Sequence, residues 1–532
     1  MGKNYETAIK SEYFSTNSIK LVEFVLNLRL RKNPFILFSS VMLFTAGSAF
    51  AQEPVKVTAT DSVKTETVTA PAKEEPARTS YYVEAGTYGT KRETDPPGYV
   101  RNIGQSGIAE KLTWLDAGFD YRFRGEYRNN DIRRPDSHST DYPILYKGKL
   151  YIGIKNIIDP LRLVLEMQDS DRSNGKYPLD NRDVNKREMI QGFAELYFKK
   201  ALGTDALGNN RPFMIRYGRQ AFEFLDRRLI GQNLWRNTTN NFLGFRAALG
   251  QDKNDWQLDL LALRPIVRVI DDRDHADNDR QFGAAIGHWR KWSDVITIEP
   301  YYMGLRQDRR IGYRQIHSPG VRLYGFVNKA WNYDFTGTYQ FGDDQGKRQD
   351  AYMITAEVGY RFQHSWKPRV SMFFGYVTGD KDPNDKKTNR FERFYGFARP
   401  WSGDDYIIPE NVVTPKLKVE FEPVKGYKID MGYSFYWLQS SKDRFNNLLA
   451  GTGNRDTTGQ SGKFLGHGFD SRLQFKPLKF MDANIGYMYF STGEFVQNRQ
   501  DAANGEHAGA SNFAYIELTF NALDIFIKKN KK

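Results

Sequence analysis

The sequence has no cysteine among its 532 residues. Zinc–cysteine sites, dithiol redox motifs and disulfide frameworks are therefore excluded. A secreted protein of this size without disulfides must be held together by its backbone hydrogen bonds and its packing. A closed β-barrel achieves this because closure leaves no unpaired strand edge.

Long apolar segments are also missing. No run of about eighteen or more apolar residues is present, so we expect no transmembrane helix. Mean hydropathy is −0.64, which argues against a helical membrane protein. It does not argue against a barrel, since only alternate residues of a barrel strand face lipid. Helical periodicity is scarce, whereas Tyr (31) and Phe (37) are abundant, as is typical of β proteins.

Recognisable catalytic and metal-binding motifs are absent. The seven histidines are scattered, and none has the spacing of a two-histidine metal site. We find no Gly-x-Ser-x-Gly elbow, phosphate-binding glycine loop or Rossmann fingerprint. The acidic segments 271–279 and 378–385 lack the spacing of a known calcium loop, which favours solvated loops. The sequence therefore predicts no catalytic residue, no metal site and no cofactor.

Residues 119–128 carry the most informative pattern that is present. Successive side chains of a strand point to opposite faces. Here Phe119, Tyr121 and Phe123 share one face with other uncharged residues. The opposite face is wholly charged and consists of Asp120, Arg122, Arg124, Glu126 and Arg128. This alternation predicts a transmembrane barrel strand with an arginine-rich lumen side.

The same alternation recurs along the chain at lengths near the roughly 9–11 residues that a tilted transmembrane strand needs. We predict an all-β fold, a transmembrane antiparallel β-barrel of about eighteen strands, within two, with long extracellular loops. A soluble β-sandwich or propeller is the alternative, but it would place small polar residues on the outward faces. The predicted long loops are 169–188, 378–413, 440–465 and 492–511. The predicted strands include 119–128, 147–155, 161–168, 190–199, 213–219, 243–249, 256–262, 281–290, 295–304, 319–328, 333–340, 352–362, 368–378, 416–423, 429–437, 469–475, 480–491 and 512–521.

The N-terminal part of the chain has the features of an export signal. Arg29, Arg31 and Lys32 precede the apolar stretch 35–44, and small residues precede Gln52 at a cleavage-site pattern. We predict an extended signal peptide over 1–51 and a disordered periplasmic linker over 52–80. The barrel domain is predicted to occupy 81–532.

Residues 216–246 resemble the alginate-export family of Gram-negative outer-membrane channels. The matching features are Gly218-Arg219-Gln220, the run 226–231, Trp235-Arg236-Asn237 and the strand re-entry Phe242-x-Gly244-Phe245-Arg246. A second, weaker match is the aromatic stretch 394–405. In alternation pattern, the resemblance extends over nearly all of residues 81–520.

The resemblance implies an 18-stranded barrel that carries an acidic polysaccharide outward through an electropositive constriction. Arginine suits this task because its planar guanidinium binds a carboxylate with two hydrogen bonds and stays charged. Weak, multiple sites are also required for transit, so acids such as Asp226 and Glu195 would limit the affinity. The candidate channel residues are Arg216, Arg219, Asp226, Arg227, Arg228, Arg236 and Arg246, with Arg122, Arg124, Arg361 and Arg472 as further lumen candidates.

The leading hypothesis is a non-enzymatic channel for an anionic, alginate-like exopolysaccharide in the cell outer membrane of a Gram-negative-type bacterium. The alternatives are a general or anion-selective porin for small solutes, and a surface-binding protein anchored by a barrel. The expected partners are the polysaccharide, outer-membrane lipid and periplasmic export or assembly proteins. The net charge of +13 is compatible with nucleic acid, but no nucleic-acid motif accompanies it.

Overall fold

A computed structural model of the protein describes residues 78–83, 92–134, 139–291, 293–448, 452–504 and 509–527. The predicted signal peptide and all but the last three residues of the predicted linker lie outside the described residues. In the described part of the chain, no helix has both the length and the apolar character needed to cross a membrane.

Eighteen long antiparallel strands in the described residues form a closed barrel, and each pairs with the next one along the chain. Closure comes from the last strand, in which Phe520 lies opposite Tyr121 of the first. The strands are β1 (Leu115–Asn129), β2 (Ile144–Ile154), β3 (Leu161–Ser173), β4 (Asn185–Phe198), β5 (Phe213–Gln220), β6 (Phe242–Gly250), β7 (Trp256–Val267), β8 (Arg280–Trp289), β9 (Thr297–Gln307), β10 (Arg314–Val327), β11 (Trp331–Asp344), β12 (Lys347–Arg361), β13 (Arg369–Val377), β14 (Val412–Val424), β15 (Tyr427–Trp437), β16 (Phe464–Leu478), β17 (Met481–Thr492) and β18 (Ser511–Asn521).

Short elements complete the described structure. Helix α1 (Glu494–Asn504) lies in the connection between β17 and β18, and α2 (Leu523–Phe526) follows β18. Two 3-10 turns and four two-residue strands make up the rest: Arg309–Ile311, Thr452–Asn454, Arg101–Asn102, Thr140–Asp141, His275–Ala276 and Lys387–Thr388.

The predicted fold is confirmed, since each of the predicted strand segments overlaps one observed strand. The predicted insertion at 169–188 is too long, because β3 continues to Ser173 and β4 already begins at Asn185. The hydrogen bonds between neighbouring strands join backbone groups. A strand therefore continues even where its outward side chains become polar. The loop between these strands is 174–184.

Lipid-facing and lumen-facing side chains alternate as predicted from the opening segment. Phe119 and Tyr121 of β1 are exposed on the outer face, whereas Arg122 and Arg124 are buried on the lumen side. An arginine on the lipid face near the bilayer midplane costs about 2–4 kcal/mol. A one-residue slip would move every such charge into lipid, so the charge pattern sets the register.

The longest connections lie at one end of the barrel, and most connections at the other end are short. The long ones include 221–241, 378–411, 438–463 and 493–510, whereas 328–330, 425–426 and 479–480 are tight turns. Long loops lie on the extracellular side of outer-membrane barrels, so we assign the tight-turn end to the periplasm. The segment preceding β1 enters at that periplasmic end.

Part of the lumen wall is apolar, which the sequence pattern did not predict. The inward faces of β8 to β12 bury Phe282, Ile286, Met303, Ile316 and Met353. These residues belong to one buried cluster with the residues Phe222, Phe224, Leu225, Leu229, Ile230, Phe391, Phe394, Trp401, Tyr406 and Ile407 of two internal loops. The lumen side of the wall is therefore apolar where the internal loops pack on it and charged elsewhere.

Candidate functional site

Two loops fold into the barrel and pair with each other there. They are residues 221–241, which connect β5 to β6, and residues 378–411, which connect β13 to β14. Ile230 and Tyr395 form a parallel bridge. The Tyr395 amide donates to the Leu229 carbonyl over 3.0 Å, and the Gly231 amide donates to the Tyr395 carbonyl over 3.3 Å. The pairing makes the two loops one unit inside the lumen.

Basic side chains of the wall hold the first of these loops. Arg122 donates to the carbonyls of Leu234 (2.8 Å) and Arg236 (2.9 Å). Arg124 donates to the Trp235 carbonyl over 2.6 Å. Lys147 donates to the Arg236 carbonyl over 2.8 Å. Arg122 and Arg124 therefore position the loop, in addition to facing the lumen as predicted.

Trp235 lies where the two internal loops meet the wall. The guanidinium carbon of Arg124 is 3.8 Å from the centre of a Trp235 ring, and that of Arg399 is 3.3 Å from it. Arg399 also donates to the Tyr515 hydroxyl of β18 over 2.8 Å and to the Gly403 carbonyl over 2.9 Å. Sequence reasoning missed Arg399, although it lies within the weaker aromatic match at 394–405.

A cavity of about 670 Å³ lies beneath the internal loops. Its described lining has nine basic and ten acidic residues, so it is not uniformly electropositive. The basic residues are Arg92, Arg122, Arg227, Arg228, Arg322, Arg399, Lys416, Lys418 and Arg472. The acidic residues are Glu93, Asp226, Asp252, Glu299, Asp334, Glu357, Glu420, Asp430, Asp470 and Glu517.

Most of these wall charges are paired, either between adjacent strands or between two strands that flank a third. Arg322 of β10 lies 3.0 Å from Glu299 of β9 and 2.7 Å from Asp334 of β11. Lys416 and Asp470 approach to 2.7 Å. Further pairs continue this belt around the barrel: Arg369 with Glu357 and Glu420, Lys418 with Glu357, Arg472 with Asp430, and Arg122 and Arg124 with Glu517.

The turn 226–228 of the first internal loop presents charge to the cavity. Asp226 accepts hydrogen bonds from the Arg228 amide (3.0 Å) and from Arg228 Nη1 (2.6 Å). Burial favours the neutral carboxyl, but the charges of Arg228 and Arg322 outweigh it and lower the pKa of Asp226. Arg228 also lies over the ring of Phe373, and Arg227 over that of Phe397. All three predicted residues of this turn line the cavity.

Arg216 and Arg246 lie next to each other on β5 and β6 and face the lumen. Arg216 pairs with Glu195 of β4 over 2.6 Å, and Arg246 pairs with Asp259 of β7 over 2.9 Å. Both arginines also contact Asp95 of the segment before β1, at 3.0 Å and 3.1 Å. The predicted inward orientation of Arg246 is thus what the structure shows.

Three predicted residues lie elsewhere. Arg219 shares the outward parity of Ile215 and Tyr217 and donates to the carbonyls of Met189 and Asp274, so it is not a lumen group. Arg236 does not line the cavity and instead approaches Asp405 to 3.6 Å. Arg361 lies at the periplasmic end of β12, opposite Arg369, and is also outside the cavity lining. Among the described residues, no cluster of His, Cys, Asp and Glu could hold a metal ion.

The sequence matches the family model described as "Alginate export" over residues 113–510. The chain belongs to the alginate-export family. The protein is an outer-membrane channel of a Gram-negative-type bacterium, as the family and the barrel together show. No curated protein is similar to the chain at a significant level.

Solved structures with a similar fold have low sequence identity to this chain. OccK2 (OpdF) of Pseudomonas aeruginosa is 12% identical with a TM-score of 0.52, over 76% of this chain and 97% of that one. The crystal structure of OccK2 in complex with glucuronate is 11% identical with a TM-score of 0.50, over 76% and 98%. OccAB1 of Acinetobacter baumannii is 11% identical with a TM-score of 0.50, over 76% and 96%. At this identity the likeness shows the fold alone.

Proposed function

We propose that the channel carries an anionic, alginate-like polysaccharide outward across the outer membrane. The observation that carries this proposal is the family match over residues 113–510. A polyuronate bears one carboxylate per sugar, and a carboxylate that enters a narrow lumen needs cations to replace its water. The basic side chains that line the cavity supply such groups at several heights of the barrel.

The paired acids of the wall support transit rather than tight capture. Lumen cations such as Arg322 and Lys416 already contact carboxylates, so a passing uronate replaces one carboxylate contact with another. Exchange of like contacts changes the free energy little at each position. A ladder of exchangeable sites therefore lets a polymer advance, whereas a ring of unpaired arginines would hold it.

The internal loops and the barrel wall also provide groups for the apolar faces of sugar rings. The aromatic side chains of Trp235, Phe373, Phe397 and Tyr515 line the cavity beside its charges. Arg399 makes no ion pair among the described residues and is held by the Tyr515 hydroxyl and the Gly403 carbonyl. Within the described residues, a guanidinium group without an ion pair is thus part of the cavity lining.

Conductance of the refolded channel in planar lipid bilayers tests the proposal. We expect current block by oligouronates, but no block by neutral oligosaccharides of equal length. Arg228→Gln should weaken the block, because Arg228 lines the cavity. Arg219→Gln, from the same sequence motif but on the outer face, is the matched control and should leave it unchanged. Absence of block by oligouronates, or equal block by neutral sugars, would refute the proposal.

Uptake of small carboxylate solutes is a second candidate function. The cavity of about 670 Å³ has the size of a small-ligand site rather than of a continuous polymer path. OccK2, which shares the fold, has been crystallised with glucuronate. The length dependence of block separates the two functions. A polymer channel should bind longer oligouronates progressively more tightly, whereas a solute porin should bind the monomer as well as any oligomer.

A further inference from the structure

The segment 92–98 lies in the lumen at the periplasmic end. Arg92 Nη2 donates to both carboxylate oxygens of Asp252 over 3.0 Å. The Glu93 amide donates to Glu223 of the first internal loop over 2.8 Å. Arg92, Glu93 and Thr94 line the cavity of about 670 Å³. The segment therefore closes part of this cavity from below.

Asp95 is the charged group that this segment inserts between wall residues. Its Oδ2 lies 3.0 Å from Arg216 Nη2 and 3.1 Å from Arg246 Nη1. The side chain of Asp95 is 46% exposed, whereas those of Arg216 and Arg246 are 5% and 10% exposed. One water-accessible carboxylate thus bridges two buried guanidinium groups, as a ligand carboxylate would.

Arg216 retains capacity for a further hydrogen bond. Its Nη1 is buried and has no hydrogen-bond partner, although its Nε and Nη2 both donate to Glu195. An unpartnered buried donor is unfavourable, so the site is incompletely satisfied by Asp95.

Asp95 is also the partner that is free to leave. Glu195 and Asp259, the other acids at this site, belong to strands β4 and β7 and are held by ladder hydrogen bonds. The segment 92–98 belongs to no strand, and its main tie through the backbone is the Glu93 contact with Glu223. Displacement of Asp95 requires no rupture of the barrel wall.

We propose that residues 92–98 form a displaceable plug, in which Asp95 occupies a carboxylate-binding site formed by Arg216 and Arg246. A uronate carboxylate that arrives from the periplasm takes the place of Asp95 and moves the plug aside. The identity of the displacing ligand rests on the proposed function, whereas the existence of the plug does not.

Two measurements on the full-length chain test the plug. The first is single-channel conductance of Asp95→Asn, with Glu110→Gln as the matched control, since Glu110 is exposed on the same N-terminal segment. The second is the rate at which Thr94→Cys, in a chain without native cysteine, reacts with a charged thiol reagent. Heat-modifiable mobility in gel electrophoresis verifies that each variant has formed its barrel.

Loss of the Asp95 charge should open the plug. We expect Asp95→Asn to increase conductance and to raise the Thr94→Cys reaction rate about tenfold, the factor that corresponds to loss of one charge-assisted hydrogen bond. Asp95→Glu should retain the closed behaviour, and Glu110→Gln should match the unmodified channel. Equal conductance and equal thiol reactivity in Asp95→Asn and Glu110→Gln would refute the proposal that residues 92–98 form a plug.

The response to added ligand distinguishes the plug proposal from the proposed function. An oligouronate should raise the Thr94→Cys reaction rate with Asp95 present, and a neutral oligosaccharide should not. If Asp95→Asn opens the channel but the oligouronate neither blocks current nor alters thiol reactivity, the plug stands. The uronate ligand and the proposed function are then both refuted.

Discussion

The guanidinium carbon of Arg399 lies 3.3 Å from the centre of a Trp235 ring, and the two residues belong to different internal loops. The contact therefore joins residues 221–241 to residues 378–411. Because Arg399 also donates to the Tyr515 hydroxyl, it ties both loops to strand β18. A cation over an indole face, partly shielded from water, contributes about 0.5–2 kcal/mol.

Removal of the indole should widen the lumen at the two internal loops. We expect Trp235→Ala to raise single-channel conductance, because Arg399 and Arg124 both lose the ring on which they lie. Trp235→Phe should retain most of the closed behaviour, since an aromatic face remains. Trp289→Ala is the control, because Trp289 is exposed on the outer face of β8. Unchanged conductance in Trp235→Ala would mean that the loops are held without this contact.

Loss of a wall anchor should make the first internal loop mobile. Arg122 donates to the carbonyls of Leu234, Trp235 and Arg236, so Arg122→Gln removes these hydrogen bonds and leaves the loop to the donors of Arg124 and Lys147. We expect rapid current fluctuations in single-channel recordings, with a folded barrel. Arg306→Gln, on the exposed outer face of β9, should produce a quiet channel. A quiet Arg122→Gln channel would contradict the anchoring role.

Disruption of one wall ion pair should strongly destabilise the barrel. Arg322 is buried between Glu299 and Asp334, so Arg322→Met leaves two carboxylates without their cation. Breaking a buried pair by removal of one partner costs about 3–5 kcal/mol. Unfolding by urea in detergent measures the loss. Combining Arg322→Met with Asp334→Asn should recover part of it, and no recovery would indicate that the cost comes from packing instead.

Stability should depend on pH through Asp404 of the second internal loop. Burial is the main cause that raises the pKa of Asp404 from 3.8 to about 6, against hydrogen bonds from Ser402 and the Tyr406 amide. The folded state therefore binds a proton more tightly than the unfolded state, so this contribution to stability falls as pH rises from about 4 to above 6. Asp404→Asn should stabilise the protein near pH 7.5 and have little effect near pH 4.

Thermal unfolding of Asp404→Asn and the unmodified chain across this pH range checks the prediction. The exposed Asp271 provides the control, since Asp271→Asn removes an equal charge from the surface of another loop. A difference between Asp404→Asn and the unmodified chain that is the same at both pH values would contradict a titrating, buried Asp404.

The local pattern of the sequence predicted the strands of the barrel wall but not the loops and the N-terminal segment that lie in the lumen. In β1, the alternation of Tyr121 and Arg122 predicts strand, register and face, because a charge that faces lipid is costly. Arg246 could be placed inward by the same parity. Arg219 was predicted to be a lumen residue because it shares a sequence motif with Arg216. The strand alternation, however, continues past Gly218 and directs the Arg219 side chain outward.

The positions and contacts of the internal loops could not be predicted from local sequence patterns. Loop residues have no fixed periodicity, and Arg399, Trp235 and Asp404 acquire their surroundings from contacts distant in sequence. The contacts of Asp95 could not be predicted for the same reason, because Asp95 meets Arg216 and Arg246 only after the segment before β1 enters the closed barrel. Neither its sequence neighbours nor its residue type marks it as a group that bridges two arginines.

The sequence by itself determined the barrel, its strand number to within two and the side of the wall on which most strand charges lie, since these depend on period-two alternation against lipid. The tertiary structure alone decided how the lumen is filled, which charges are paired and where the N-terminal segment inserts. The physical reason is that ion pairing and loop packing depend on distances between strands and loops, which appear only when the barrel has closed.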